Sequence, residues 1–250
     1  MDADGRVFPF NREALGWFLM GLFDDLKKAN RRTYQDIVME ICGLGGMRQE
    51  ITLRITEEER EFADRFAARA GIPSGSARGR VSLIGINTGS GSRWRMKQWP
   101  EGRCVDLIRM LARDRRIRLL LFGGRDEIER NAAIRGAAGK ALIDTGCGNS
   151  IREFISLVGL CDLMVASDSL GLHVALGLGK KVVGLFGPTS AAEIDMYGRG
   201  AKIVADADCA CCYLHDCGRT PSCMDRITAA QVCAAVRRLL PLPPRGRART

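Results

Sequence analysis

One stretch, Leu163–Ser190, reads LMVASDSLGLHVALGLGKKVVGLFGPTS and decides the fold class of this 250-residue chain. Its first residues, Leu163–Val165, are all apolar, which is typical of a strand covered on both faces. A second apolar run, Val182–Phe186, ends at a Gly-Pro turn, and a segment of helical length lies between the two runs. Asp168 and Ser169 precede that segment, where a helix N-cap is expected. The pattern therefore predicts a strand–helix–strand unit of a parallel sheet.

The turn between the first strand and the helix is a candidate binding site. Ligands of parallel α/β sheets bind where strands end and helices begin, and the N-terminus of a helix attracts phosphate. His173 lies one turn into the helix, on about the same face as Asp168 and Ser169. The histidine could contact a ligand there or could serve only in packing, and the pattern leaves both interpretations open.

The rest of the chain predicts four consecutive regions. Residues 1–72 are expected to be helical and separate, with helices over Ala14–Lys28 and Thr33–Cys42 and a capping box at Thr56 and Glu59. Residues 73–80 form a flexible linker, and residues 241–250 form a basic, disordered tail. Residues 81–240 alternate strand and helix, which predicts a Rossmann-like, doubly wound parallel sheet. The expected strands are 81–86, 117–122, 163–165, 182–186 and 202–205, and the further helices 105–113, 127–136, 151–160 and 228–240.

Composition narrows the class of protein. No apolar run approaches the ~20 residues of a membrane span, and the polar start lacks a secretory signal. Ten cysteines without an export signal favour a reducing cytoplasm. The net charge of +9 favours acidic partners such as nucleotides, phosphorylated sugars, nucleic acid or an anionic membrane, although a merely soluble basic surface explains it equally well. The sequence contains no nucleic-acid-binding motif of the usual kinds, so nucleic acid is not expected as a partner.

Two further loops could bind a nucleotide. The loop NTGSGSR, residues 87–93, and the following Lys97 combine glycines, hydroxyls and positive charge, although a plain flexible loop would share this composition. The carboxylate of Glu127 follows the second strand, where it could bind ribose hydroxyls but would more often cap the next helix.

Cysteines concentrate late in the chain, at positions 209, 211, 212, 217 and 223. Cys209 and Cys212 resemble half of a metal site, which Cys217 or Cys223 could complete. The spacing fits no standard zinc or iron–sulfur motif. Unpaired structural thiols are therefore the favoured interpretation, and no metal ligand is predicted.

Together these loops resemble glycosyltransferase family 9, the ADP-heptose:lipopolysaccharide heptosyltransferases. The matching pieces are INTGSGSRWRMKQWP, LLFGGRDE, the opening stretch and CACCYLHDCGRTPSCM, in the order of the family, across 81–240. The resemblance implies the GT-B architecture of two Rossmann-like domains and places residues 81–240 in its C-terminal, donor-binding domain. Residues 1–72 would then be a helical remnant of the N-terminal domain, and the chain a truncated product or a fragment.

The resemblance also implies a reaction and its residues. Heptose moves from ADP-heptose to the lipid A–core oligosaccharide with inversion, without a metal or cofactor, in the cytoplasm and in peripheral contact with the anionic inner membrane. The catalytic base would lie in the N-terminal domain, so the isolated chain is expected to be inactive. A non-catalytic nucleotide-binding module, or a half that needs a separate chain, is the alternative. The donor-binding residues implied are Ser92, Arg93, Lys97, Glu127, Asp168, Ser169, Gly171 and His173.

Overall fold

The computed structural model describes residues 4–5, 7–47, 49–73 and 81–240. The predicted tail 241–250 and the predicted linker, apart from Pro73, lie outside the described residues. The described residues contain one parallel sheet of six strands. The strands are β1 (Ser82–Asn87), β2 (Ile117–Leu121), β3 (Leu142–Asp144), β4 (Leu163–Ser167), β5 (Lys181–Phe186) and β6 (Gly200–Val204).

The strand order is β3-β2-β1-β4-β5-β6. This is the doubly wound order in which the direction of winding reverses between β1 and β4, and the crevice at that reversal is the usual ligand site. The two strands pair in register from Ile84 opposite Leu163 to Asn87 opposite Ala166. The predicted fold class, a Rossmann-like parallel sheet, is thereby confirmed.

Helices cover both faces of the sheet. Within the described ranges the α-helices are α1 (Ala14–Leu22), α2 (Asp24–Ala29), α3 (Tyr34–Ile41), α4 (Glu57–Arg69), α5 (Glu101–Ala112), α6 (Ile128–Ala138), α7 (Ile151–Gly159), α8 (Leu170–Gly177) and α9 (Ala229–Leu239). Alternate residues of each strand enter opposite cores because successive side chains point to opposite faces. Ile84 and Val165 pack with α5 and α9, whereas Leu83 and Met164 pack with α7 and α8.

The observed helices differ from the predicted ones at a few boundaries. The helix predicted over Ala14–Lys28 is divided at Phe23, whose backbone is extended (φ −126°, ψ 110°). Asp24 and Asp25 occupy the first turn of α2, where carboxylates favour a new helix N-terminus. Helix α5 begins four residues earlier than predicted, at Glu101 immediately after Pro100. Strand β3 was not predicted, because three residues are too few to establish a period.

Two parts of the N-terminal region pack on the Rossmann-like unit. Helix α4 has the predicted Thr56 capping box, and its Phe62 and Phe66 pack against the core formed with α7 and α8. Leu53 donates its amide to the Gly177 carbonyl at 2.7 Å. Helix α3 is linked through Tyr34, whose hydroxyl donates to the buried Glu193 carboxylate at 2.6 Å. No helix among the described residues is both long and apolar enough to span a membrane.

Candidate functional site

A cleft of about 500 Å³ opens at the carboxyl ends of β1, β2 and β4. Its walls are the loop after β1, the Gly123–Glu127 turn after β2 and the first turn of α8. It therefore lies at the reversal of strand order, where doubly wound sheets bind ligands. The lining residues are Asn87, Gly89, Ser90, Gly91, Trp94, Lys97, Gly123, Gly124, Arg125, Asp126, Glu127, Phe154, Asp168, Ser169, Leu170 and Gly171.

An ion pair between Lys97 and Asp168 joins the two sides of the cleft. The Lys97 ammonium lies 2.8 Å from Oδ2 of Asp168, and the side chains are 15% and 13% exposed. The same carboxylate oxygen accepts a hydrogen bond of 2.7 Å from the hydroxyl of Thr189, which follows β5. Residues after β1 and β5 thus hold the carboxylate that follows β4, and a cation that is only partly hydrated remains beside the cleft.

The start of α8 adds further groups that can bind an anion. Ser169 is at the N-cap position, and its buried hydroxyl oxygen has no hydrogen-bond partner among the described residues. The amides of the first helical turn have no partner within the helix, so they can donate to a ligand. Gly171 lies against Asn87, and a Cβ there would be 3.0 Å from the Asn87 Cγ. The absence of a side chain at Gly171 therefore lets the helix approach the end of β1.

His173 lies at the rim of the cleft. Its Nε2 is 3.9 Å from Oδ1 of Asp168, and 48% of the side chain is exposed. Loss of hydration among the surrounding atoms lowers the pKa of His173, Asp168 opposes that shift and Lys97 adds to it. The ring is thus favoured in its neutral form near pH 7, able to donate at one nitrogen and accept at the other.

The carboxylate of Glu127 connects two loops. It accepts the Gly91 amide on Oε1 and the Gly124 amide on Oε2, both at 2.7 Å, and the residue is 6% exposed. The second bond is part of a capping arrangement at the short helix Arg125–Glu127. Gly89 is packed so closely that a Cβ there would lie 2.5 Å from the Glu127 Cγ. Each carboxylate oxygen keeps a second acceptor position, so capping does not exclude a ligand hydroxyl.

Ser92 and Arg93 lie beside the cleft rather than in its lining. The Ser92 amide donates to Asp126 Oδ2 at 2.8 Å, and this bond lowers the pKa of Asp126. The Arg93 side chain is exposed, and its carbonyl oxygen is 3.4 Å from Nδ1 of His215. Of the eight residues singled out from the sequence, the cleft lining includes Lys97, Glu127, Asp168, Ser169 and Gly171.

The late cysteines are free thiols that share a neighbourhood. Cys209, Cys212, Cys217 and Cys223 line a separate cavity of about 150 Å³. Burial raises the pKa of Cys223 to about 11, and the neighbouring thiols add to that shift. Among the residues that the structure describes, no three or more His, Cys, Asp or Glu side chains are arranged to hold a metal ion.

Several side chains at this site were not singled out from the sequence, among them Thr189, Asp126 and Trp94. Thr189 and Asp126 lie in the loops that follow β5 and β2, and that position is a usable signal because parallel strands bring their carboxyl ends to one edge. Trp94 lies inside the loop after β1, and nothing local marks it as part of the cleft. Its position becomes evident only when the loop is folded against Lys97.

Comparison with known proteins identifies the family. The model of glycosyltransferase family 9 (heptosyltransferase) matches residues 30–218, more than half of the chain. A search of curated protein sequences gives no match.

Solved structures support the fold. A family 9 glycosyl transferase from Veillonella parvula DSM 2008 has a TM-score of 0.69 and 21% identity, over 86% of this chain and 62% of that protein. E. coli ADP-heptose lps heptosyltransferase II has a TM-score of 0.56 and 21% identity, over 75% of this chain and 53% of that protein. E. coli heptosyltransferase WaaC with ADP has a TM-score of 0.57 and 16% identity, over 84% of this chain and 57% of that protein. The chain thus spans less than two thirds of these proteins. On the match of the family model, it belongs to glycosyltransferase family 9, the heptosyltransferase family.

Proposed function

We propose that these residues form the nucleotide-sugar-binding half of a heptosyltransferase that uses ADP-heptose and extends the lipopolysaccharide inner core. The observation that carries this proposal is the Lys97–Asp168 pair at the start of α8, in a cleft at the reversal of strand order. A cation beside the amides of a helix N-terminus suits a diphosphate. Relatives of known structure are described with ADP or as acting on ADP-heptose.

The proposed donor lies along the cleft with its diphosphate between Lys97 and the first turn of α8. The unpartnered hydroxyl of Ser169 would donate to a phosphate oxygen. Glu127 would accept a ribose hydroxyl through its free acceptor positions, and Asp168 and His173 would face the sugar. Ser92 and Arg93 would add donors at the rim.

Lys97 would contribute to transfer by stabilising the leaving group. Negative charge develops on the terminal phosphate as the bond to the sugar breaks, and fixed donors stabilise such charge without reorganisation. The ammonium is already held by Asp168, so part of the ordering that phosphate binding requires is present before the ligand arrives. This arrangement needs no metal ion.

The proposed inverting reaction also needs a base for the acceptor hydroxyl. The cleft carboxylates are Asp126, Glu127 and Asp168, and each accepts hydrogen bonds from protein groups. In this proposal the base belongs to the N-terminal domain that the family resemblance implies. The second candidate function is a non-catalytic nucleotide-binding module, or a half that needs a separate chain for catalysis.

The acceptor in this proposal is the lipid A–core oligosaccharide at the inner membrane. A chain with a net charge of +9 is attracted to anionic lipid, which favours a peripheral position beside that substrate.

Calorimetry with ADP tests the proposal. Lys97→Ala should weaken ADP binding by roughly 1–3 kcal/mol, the range for a charge-assisted contact. Lys140→Ala, which removes an exposed lysine outside the cleft, is the control and should bind as wild type does. Equal ADP affinities for Lys97→Ala and wild type would contradict the phosphate role.

Two further measurements address the sugar and the base. Asp168→Ala should weaken ADP-heptose binding more than ADP binding, and equal losses would refute its placement near the sugar. With ADP-heptose and a heptose-free lipid A–Kdo acceptor, the 250 residues alone should form little product. Turnover near 1 s⁻¹ or faster, an ordinary enzymatic rate, would show that the base is among these residues.

A further inference from the structure

The segment Cys209–Cys223 returns from the end of the sheet to the loop after β1. The Cys211 amide donates to the Gly187 carbonyl and the Tyr213 amide to the Pro188 carbonyl, both at 2.8 Å. The Tyr213 hydroxyl accepts the Ser190 amide at 3.1 Å and donates to Glu193. These contacts fix the segment along the loop that follows β5.

The same segment places His215 against Trp94. The two rings are stacked, with centroids 4.4 Å apart and planes at 24°. The Nδ1 atom of His215 is also 3.4 Å from the Arg93 carbonyl oxygen, within reach of a hydrogen bond when that nitrogen carries the proton. His215 therefore restrains the indole from a segment more than 100 residues away in sequence.

Trp94 in turn restrains Lys97. The lysine ammonium is 5.1 Å from the indole centroid, within the range of a cation–π contact. The Trp94 carbonyl accepts the Lys97 amide at 2.9 Å and the Ser90 hydroxyl at 2.6 Å. Trp94 thus contacts both the backbone and the charged end of Lys97, in addition to the ion pair that Asp168 makes with the ammonium.

We propose that Trp94 and His215 are positioning residues that hold the Lys97 ammonium at the phosphate site. This inference rests on the proposed function, since it assumes that Lys97 binds phosphate. The physical need is clear because a lysine side chain has four flexible bonds and loses much rotamer freedom when it binds a ligand. Stacking by His215 and contact with the indole remove part of that freedom before the ligand arrives.

The first test compares variants without any ligand. Lysine acetylation by an N-hydroxysuccinimide ester, followed by mass spectrometry, reports how available each amine is. Lys97 should react several-fold faster in Trp94→Leu and His215→Ala than in wild type, and Trp94→Phe should restore slow labelling. Lys180, whose ammonium donates to the Gly159 carbonyl at 2.6 Å, serves as the internal control. Unchanged labelling of Lys97 in folded variants would overturn the inference, whatever the protein binds.

The second test measures coupling during ligand binding. Trp94→Leu should weaken ADP binding about fivefold, the scale of one partly exposed cation–π contact, while adenosine binding stays unchanged. In a Lys97→Ala background the same substitution should have little further effect. Additive losses, or an equal loss with adenosine, would show that Trp94 acts independently of Lys97. Absence of ADP binding by wild type would instead refute the proposed function, whereas the labelling result would still decide the positioning role.

His215→Ala is the second variant for both tests, because His215 is exposed and its removal does not open the core. Its effect should be smaller than that of Trp94→Leu, about twofold to threefold on ADP affinity. Thermal unfolding of each variant confirms that the comparison is made between folded proteins.

Discussion

Glu127→Gln should destabilise the protein by about 1.5 kcal/mol. The wild-type carboxylate accepts the Gly91 and Gly124 amides at 2.7 Å each. Glutamine keeps one acceptor oxygen and turns an NH₂ group towards the other amide, so one of the two bonds is lost. Hydrogen bonds to charged groups contribute roughly 1.5–3 kcal/mol, and we take the lower end because Gly91 is only partly buried and Gly124 is exposed.

Glu127→Ala should cost about 3 kcal/mol, because both bonds to a charged acceptor are lost. The assay is urea unfolding with linear extrapolation to zero denaturant. The matched control is Glu129→Gln, an exposed carboxylate on α6, which should change the free energy of unfolding by less than about 0.5 kcal/mol. The reasoning is refuted if Glu127→Gln is as stable as the control, since the carboxylate would then not hold the two loops.

Three further predictions concern other contacts of the site. His173 should titrate below its ordinary pKa of 6.5, because lost hydration is the largest influence on it. Asp168→Asn should lower the pKa of His173 further, and Lys97→Met should raise it; an NMR titration of the ring measures both changes. A wild-type midpoint at or above 6.5 would contradict the lowered pKa. Because the folded state binds this proton less tightly than the unfolded chain, stability should fall as the pH drops through and below 6.5. Gly171→Ala should displace the Asn87 side chain and cost about 1 kcal/mol in urea unfolding, because the crowding outweighs the gain in helix propensity, and a neutral result would show that Asn87 can move aside. Glu193→Ala should speed hydrogen exchange in Tyr34–Ile41 because it removes the oxygen that accepts both tyrosine hydroxyls, and unchanged exchange there would mean that α3 is held by other contacts.

The sheet could be predicted because its strands carry their own signals. Leu163–Val165 and Val182–Phe186 are continuous apolar runs, and such runs require cover on both faces. Strand β3 lacks such a run, and its three residues owe their strand geometry to pairing with β2. The division of the predicted helix at Phe23 could not be predicted either, because the apolar spacing continues across that residue. Only Asp24 and Asp25, which follow it, indicate that a new helix begins.

The site could be predicted only in part. Position after a strand identified Asp168 and Ser169, and charge in a glycine-rich loop identified Lys97. The sequence could not indicate that Glu127 holds Gly91, because that contact depends on how two loops meet. The contact of Trp94 with His215 is equally non-local, since it joins residues from opposite ends of the Rossmann-like unit.

The placement of β1 beside β4 has a consequence for the order of folding. Lys97 and Asp168 are separated by 71 positions in sequence and meet only after those two strands pair. Contacts of such long sequence separation carry a loop-closure cost and tend to form late. We therefore expect the cleft to be incomplete in the folding transition state, so that a bound nucleotide slows unfolding and leaves the folding rate almost unchanged.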